Sequence, residues 1–168
     1  GECIRMMFAI AGMPLEEVRV QVHDWEGMVK NKVTPFDDLP MLEVDGVKLG
    51  QSPAILRYVA REFGFAGSDS FTTAVADSLA DWYADFVTTF GDWHLSNIGF
   101  GPGDKDALYE SLYLPAKDKY LPFLEAALMK TSTGWYANTP ELSHADVFIA
   151  ANLEWLLRLD KNACKIFE

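Results

Sequence analysis

The chain has 168 residues, of which 49% are hydrophobic, so it is long enough for one large or two small domains with a packed core. Its formal net charge is −11 and its acidic residues are scattered, which disfavours nucleic acid and anionic membranes as partners. No apolar run reaches the length of a membrane span, and the first residues lack a signal-peptide pattern, so we expect a soluble cytoplasmic protein. Cys3 and Cys164 stand at opposite ends without metal-ligand spacing, and we expect no bound metal.

The first part of the chain predicts two helices and a strand. Apolar residues at helical spacing predict an amphipathic helix over residues 2–11. Val18, Val20 and Val22 alternate with polar residues, which predicts a half-buried strand. We expect residues 24–30 to add one or two helical turns that begin at an acidic cap.

A β-hairpin follows. Residues 41–44 form a short, mostly apolar strand, Asp45 and Gly46 are typical of a two-residue turn, and residues 47–49 return antiparallel. Pro40 has no N–H for a strand ladder, so it belongs at the entrance of the first strand or at an edge.

A helix is predicted directly after the hairpin. Ser52 is the expected N-cap, Pro53 the first helical residue, and Gly64 the stop. The unpaired N–H groups of such a helix start attract a carboxylate. Hairpin and helix start together therefore predict a site for a small peptide-like anion.

The remainder of the chain predicts helices alone. The polar segment 67–70 is the expected domain boundary, and long helices are expected over residues 72–95 and 104–130, the second kinked at its two prolines. Ser143 and Asp146 have the spacing of a capping box before a final helix. We interpret these two residues as a cap rather than as catalytic groups around His144.

The segment Leu39-Pro40-Met41-Leu42-Glu43-Val44-Asp45-Gly46, followed by Gln51-Ser52-Pro53-Ala54-Ile55-Leu56-Arg57-Tyr58, resembles the glutathione-binding half of cytosolic glutathione transferases of the sigma-like, invertebrate type. The resemblance implies an α+β thioredoxin-like domain over residues 1–66, without the family's first strand. It also implies a linker at 67–70 and an all-helical domain over residues 71–168 that holds an electrophile pocket and dimer contacts.

The resemblance implies roles for two pairs of residues around the hairpin. Gln51 and Ser52 would bind the γ-glutamyl carboxylate of glutathione, which agrees with an amide, a hydroxyl and a helix N-terminus meeting at one anion. The backbone of Leu39 would pair with the cysteinyl amide, with Pro40 in a cis bond.

Three further residues would hold the glycyl end of glutathione. Trp25 resembles the family's tryptophan, and either Lys30 or Lys32 would supply the ammonium group; the spacing leaves both lysines open, and a surface charge is the alternative for each. Asp38 departs from the family, which usually has an amide or a basic residue there. An acid beside a negatively charged tripeptide is expected to weaken binding.

The second domain would contribute from one long helix. The resemblance implies that Asp85 reaches the α-amino group of glutathione in the partner subunit of a homodimer, while Asp77 is expected on an exposed acidic face. Phe86, Phe90 and Trp93 form an aromatic stripe whose far end could line a pocket for a small hydrophobic electrophile, although core packing is the stronger interpretation.

The implied reaction joins the glutathione thiol to a small hydrophobic electrophile, in detoxification or in a prostaglandin-type isomerisation, with glutathione as co-substrate. The family's thiol-activating tyrosine would lie before Gly1, so no catalytic residue is assigned, and residues 1–168 alone are expected to be poorly folded and inactive. A noncatalytic binding or structural protein of the same fold is the alternative.

Overall fold

The computed structural model describes residues 1–101, 103–161 and 163. The chain divides into two compact units, Gly1–Ala66 and Gly67–Glu168. The first unit mixes helices with a small sheet and the second is helical, which confirms the predicted fold class. Among the described residues, no helix is long and apolar enough to cross a membrane.

Unit 1 consists of three helices and one hairpin. In chain order these elements are α1 (Glu2–Ala11), α2 (Val22–Lys30), β1 (Met41–Val44), β2 (Val47–Gly50) and α3 (Ser52–Phe63). Helices α1 and α3 pack together, and Phe8 meets Phe63 edge to face with ring centroids 4.9 Å apart. Burial of apolar side chains on these two helices, such as Met7 and Ile55, forms the core of the unit.

The hairpin has the predicted register. Strands β1 and β2 are antiparallel, with Met41 opposite Gly50 and Val44 opposite Val47. The turn residues Asp45 and Gly46 have φ angles of 50° and 79°. Positive φ at both central positions is what a type I′ turn requires, which explains why Asp-Gly closes this hairpin.

The predicted valine strand is wrong. Residues 13–21 have no regular secondary structure, Val18 is 80% exposed, and Val22 is the first residue of α2. Within the described residues the sheet contains only β1 and β2, so no ladder is available to this segment. Alternation of apolar and polar residues is not enough for a strand without a pairing partner. Helix α2 also begins after Gln21 rather than at an acidic cap.

Unit 2 is built from helices. They are α4 (Ser70–Thr89), α5 (Gly91–Asn97), α6 (Lys105–Leu108), a π-helical turn (Tyr109–Tyr113), α7 (Leu114–Met129) and α8 (His144–Leu159). Helix α4 packs against both α7 and α8. Asp69 caps α4 by accepting hydrogen bonds from the backbone N–H groups of Phe71 and Thr72, at 2.8 and 2.9 Å.

Two predicted helices are interrupted. The helix expected over residues 72–95 breaks at Phe90, whose φ of −116° and ψ of 22° lie outside the helical region. The helix expected over residues 104–130 contains the π-helical turn Tyr109–Tyr113, which ends two residues before Pro115. Because Pro115 lacks an N–H and its ring crowds the preceding turn, widening of the helix just before it relieves the conflict.

Aromatic side chains dominate the core of unit 2. Trp93 stacks on Tyr113 with ring centroids 4.1 Å apart, and Phe86 meets Phe90 at 4.9 Å. The predicted capping box is confirmed at the start of α8. There, Asp146 accepts hydrogen bonds from the N–H groups of Ser143 and Tyr136, both at 2.8 Å.

Candidate functional site

The N-terminus of α3 is the first part of the candidate site. Gln51, rather than the expected Ser52, is the capping residue, and Ser52 is the first helical residue. No side-chain hydrogen bond caps this helix end. The Gln51 side chain is exposed and the Ser52 side chain is half-buried. The residues that carry this amide and this hydroxyl therefore lie at the N-terminus of α3, and the unpaired N–H groups of a helix N-terminus favour an anion.

Gln51 has an unusual backbone conformation. Its φ of 72° and ψ of 109° lie in a region that residues other than glycine seldom occupy. Such a conformation costs on the order of 1–3 kcal/mol and persists where the surrounding structure enforces it, often at functional sites. Here β2 ends at Gly50 and α3 begins at Ser52, so two fixed elements constrain the single residue between them.

The hairpin register brings a second segment to this point. Because Met41 pairs with Gly50, the next residues outward on the two strands, Pro40 and Gln51, are neighbours at the open end of the hairpin. The Leu39–Pro40 peptide bond is cis, as expected. The backbone of Leu39 and the side chains of Gln51 and Ser52 thus belong to one end of the sheet.

Asp38 makes a contact at this end that sequence reasoning missed. Its Oδ1 accepts a hydrogen bond from the backbone N–H of Leu39 at 2.8 Å. The backbone N–H of Asp38 donates to Oγ1 of the buried Thr34 at 3.1 Å. No spacing in the sequence signals a side chain that bonds to the next residue along the chain.

The two candidate lysines differ in their surroundings. Nζ of Lys32 lies 2.7 Å from Oδ2 of Asp37, whereas Lys30, at the exposed end of α2, has no ion pair within the part of the chain that the structure describes. Trp25 is half-buried on α2. Nζ of Lys48 donates to the carbonyl of Val33 at 2.9 Å, which fixes the loop between α2 and β1 to the hairpin.

Unit 2 places its candidate residues in different environments. Asp85 is exposed on α4. Phe86 and Phe90 are 0% and 1% exposed, so they pack in the core, in agreement with the stronger interpretation, and offer no surface to a ligand. The expectation that Asp77 lies on an exposed acidic face is wrong, because its Oδ1 is 3.1 Å from Nε2 of the buried His144.

Trp93, the third aromatic candidate, lines an open groove of about 440 Å³. The other lining residues are Asn97, Lys105, Asp106, Tyr109, Leu159, Asp160 and Lys161. The Tyr109 hydroxyl is 3.5 Å from Oδ2 of Asp160, and burial together with this carboxylate raises the pKa of Tyr109. The groove thus combines an aromatic wall with a protonated phenol and mixed charges.

Cys3 is the cysteine that lies within the described residues. Cys3 is buried in α1, and burial raises the pKa of its thiol. Cys164 lies outside the described residues. No cluster of possible metal ligands occurs within the described ranges.

Comparison with known proteins adds to this geometry. Residues 1–61 match the family model described as glutathione S-transferase, N-terminal domain. The chain is 37% identical over 160 residues to probable glutathione S-transferase 6 of Caenorhabditis elegans. The aligned region covers 95% of this chain and 76% of that protein.

Solved structures are similar along nearly the whole chain. Monomeric Na-GST-3, a glutathione S-transferase from the hookworm Necator americanus, has a TM-score of 0.88 and 34% identity, with 96% of this chain and 78% of that chain covered. Prostaglandin synthase D of Nilaparvata lugens has a TM-score of 0.85 and 27% identity, with 99% and 81% covered.

Proposed function

This chain belongs to the glutathione S-transferase family, and from that premise we propose that unit 1 binds glutathione at the open end of its hairpin. The thioredoxin-like first unit and the all-helical second unit are those of the family. In this proposal Gln51 and Ser52 bind the γ-glutamyl carboxylate, and the backbone of Leu39 pairs with the cysteinyl residue.

The observation that carries the proposal is the backbone of Gln51. Gln51, a residue other than glycine, is held at a φ of 72° directly before the N-terminus of α3, which has no side-chain cap and favours an anion. The cis bond before Pro40 lies beside it across the hairpin. A strained Gln51 backbone at a helix N-terminus without a side-chain cap supports ligand binding more than it supports a purely structural role.

For the glycyl end of glutathione we assign Trp25 and Lys30. Lys32 already has a carboxylate partner in Asp37, so using it for the ligand would require breaking that ion pair. Lys30 needs no such exchange. An indole N–H and an ammonium group suit a carboxylate.

The proposed reaction adds the glutathione thiol to a small hydrophobic electrophile. A thiol with a pKa of about 8.5 reacts faster at neutral pH when a donor stabilises its thiolate. Tyr58, the tyrosine of unit 1, lies six residues along α3 from Ser52, or about 9 Å by helical rise. We therefore assign the thiol-activating role to no residue of this chain and base the proposal on binding.

Isomerisation of a prostaglandin-type substrate is a second candidate reaction, favoured by the structural similarity to prostaglandin synthase D. Both reactions use the same glutathione site. Assays with a chromogenic electrophile and with a prostaglandin endoperoxide separate them.

We further propose that Asp85 acts across a homodimer, on the α-amino group of glutathione bound to the partner subunit. Its exposure on α4 supports a role outside the core. Because Na-GST-3 is described as monomeric, the test also has to measure whether this chain forms a dimer. Asp85→Asn should weaken glutathione binding by the dimer, and dilution to monomers should remove the difference between the parent and this variant.

Retention on immobilised glutathione tests the site. The double variant Gln51→Ala, Ser52→Ala should lose retention, because each hydrogen bond to a charged group contributes about 1.5–3 kcal/mol. Glu43→Gln, an exposed change on β1, is the matched control and should be retained like the parent. Unchanged retention of a folded double variant would refute the assignment.

A further inference from the structure

The Asp38 side chain binds a backbone N–H group that the proposed glutathione site needs, that of Leu39. Its Oδ1 accepts the backbone N–H of Leu39 at 2.8 Å. Leu39 is the residue before the cis bond and is assigned to the cysteinyl part of glutathione above, so this inference rests on the proposed function. The carboxylate and the ligand therefore compete for one group.

The competition follows from the number of backbone groups. A cysteinyl residue that pairs with the backbone of Leu39 presents one C=O and one N–H, and Leu39 offers one N–H and one C=O in return. The ligand carbonyl can pair only with the Leu39 N–H, which is already bound to Asp38. Binding must displace the carboxylate from this donor.

Charge adds a second cost. Glutathione carries two carboxylates and one ammonium group at neutral pH, so it is negatively charged overall. A displaced Asp38 carboxylate stays attached to the same turn, close to the ligand, and like charges at such distances repel in spite of solvent screening. Ligands with less negative charge avoid part of this cost.

The backbone of Asp38 is held independently of its carboxylate. Its N–H donates to Oγ1 of Thr34, which is 4% exposed. Replacement of the Asp38 side chain should therefore leave the turn in place and change only the contact to Leu39. This separation makes the side chain testable without loss of the fold.

We propose that Asp38 is a specificity-determining residue that competes with glutathione for the Leu39 N–H, lowers the affinity for glutathione and selects against negative charge in the ligand. It acts through Leu39 and through its own charge, without a role in the chemical step.

Calorimetric titration of the full chain with glutathione tests the proposal. Asp38→Ala removes both charge and acceptor and should bind about tenfold more tightly than the parent, a change of about 1.4 kcal/mol from the hydrogen-bond and charge terms together. Asp38→Asn keeps an acceptor and should gain less, about threefold, by the charge term alone. Asp45→Asn, in the turn at the far end of the same hairpin, removes the same charge and should match the parent.

Glutathione monoethyl ester, in which the glycyl carboxylate is blocked, measures the charge selection. The ratio of ester affinity to glutathione affinity should fall in Asp38→Asn relative to the parent, and 1 M salt should reduce the difference between the two proteins. The Leu39 amide proton should move upfield in Asp38→Ala without ligand, because a hydrogen bond to a carboxylate is lost. A purely structural role of Asp38 would not produce this combination.

The outcomes separate this inference from the proposed function. If Asp38→Ala binds like the parent, while the Gln51→Ala, Ser52→Ala variant still loses binding, the inference is wrong and the glutathione site stands. If Asp45→Asn gains as much as Asp38→Asn, net charge explains the effect and the inference is again wrong. If neither the parent nor any variant binds glutathione, both fail.

Discussion

Nε2 of His144 lies 3.1 Å from Oδ1 of Asp77, which connects the first residue of α8 to the middle of α4. His144 is 1% exposed. A carboxylate only accepts hydrogen bonds, so a proton on Nε2 completes this one. Two helices of unit 2 are thus joined by a polar contact as well as by apolar packing.

Asp77→Ala should lower the free energy of unfolding by about 1–3 kcal/mol, because it removes an acceptor from a buried donor of His144. Urea denaturation measures the change. Asp85→Ala, which removes the same charge from an exposed position of the same helix, should change stability by less than about 0.5 kcal/mol. Equal effects of the two changes would show that the contact does not contribute.

His94 should make stability depend on pH. Burial against Trp155 lowers the pKa of His94, so the unfolded chain takes up a proton at higher pH than the folded chain does. Stability should therefore fall as pH decreases through about 6.5, the usual histidine value, toward the lower folded pKa.

Urea denaturation at pH 7.5 and pH 5.5 tests this pH dependence. His94→Phe keeps an aromatic ring on Trp155 and should reduce the loss of stability between the two pH values. His23→Gln is the control, because His23 is exposed and should leave the loss unchanged. The same pH dependence in His94→Phe and the parent would rule out His94 as its source.

Asp146 should be more important for stability than its capping partner Ser143. Asp146→Ala removes the acceptor of two backbone N–H groups and of the Ser143 hydroxyl, and it should cost at least about 3 kcal/mol. Ser143→Ala leaves both backbone bonds and should cost about 1 kcal/mol. Thermal unfolding in the same buffer measures the stability of both variants. A larger loss in Ser143→Ala than in Asp146→Ala would contradict the greater importance of Asp146.

Gln51→Gly and Gln51→Ala should separate backbone strain from ligand binding. Glycine tolerates a φ of 72°, so Gln51→Gly should be more stable than Gln51→Ala by about 1 kcal/mol. Both lack the side-chain amide and should lose glutathione affinity to a similar extent. A glycine variant that binds like the parent would show that only the backbone of residue 51 matters.

The elements predicted correctly from sequence are those that local chemistry determines. Asp45 and Gly46 specify their turn because few residues accept two consecutive positive φ angles. Ser143 and Asp146 specify a helix start because the cap and its partner lie three residues apart. In both cases the residues that determine the structure are neighbours in the chain.

The features that were missed depend on tertiary contacts. Val18 has the pattern of a strand but no ladder among the described residues, and Asp77 has the spacing of an exposed face but contacts His144 from a distant helix. Phe90, where the helix breaks, packs its ring edge to face against Tyr113 of the π-helical turn, with ring centroids 5.5 Å apart. Neither pattern nor propensity contains this information.

The hairpin register has an evolutionary consequence. Pro40 and Gln51 are neighbours because two strands of four residues are joined by a turn of two, so the geometry of this end is set by the number of residues between them. Substitutions at exposed ladder positions such as Glu43 and Lys48 leave that number unchanged. An insertion or deletion of a single residue would offset the two segments and reverse the side-chain alternation. We therefore expect lineages of this protein to vary at exposed ladder positions such as Glu43, and to conserve the turn residues and the length of the hairpin.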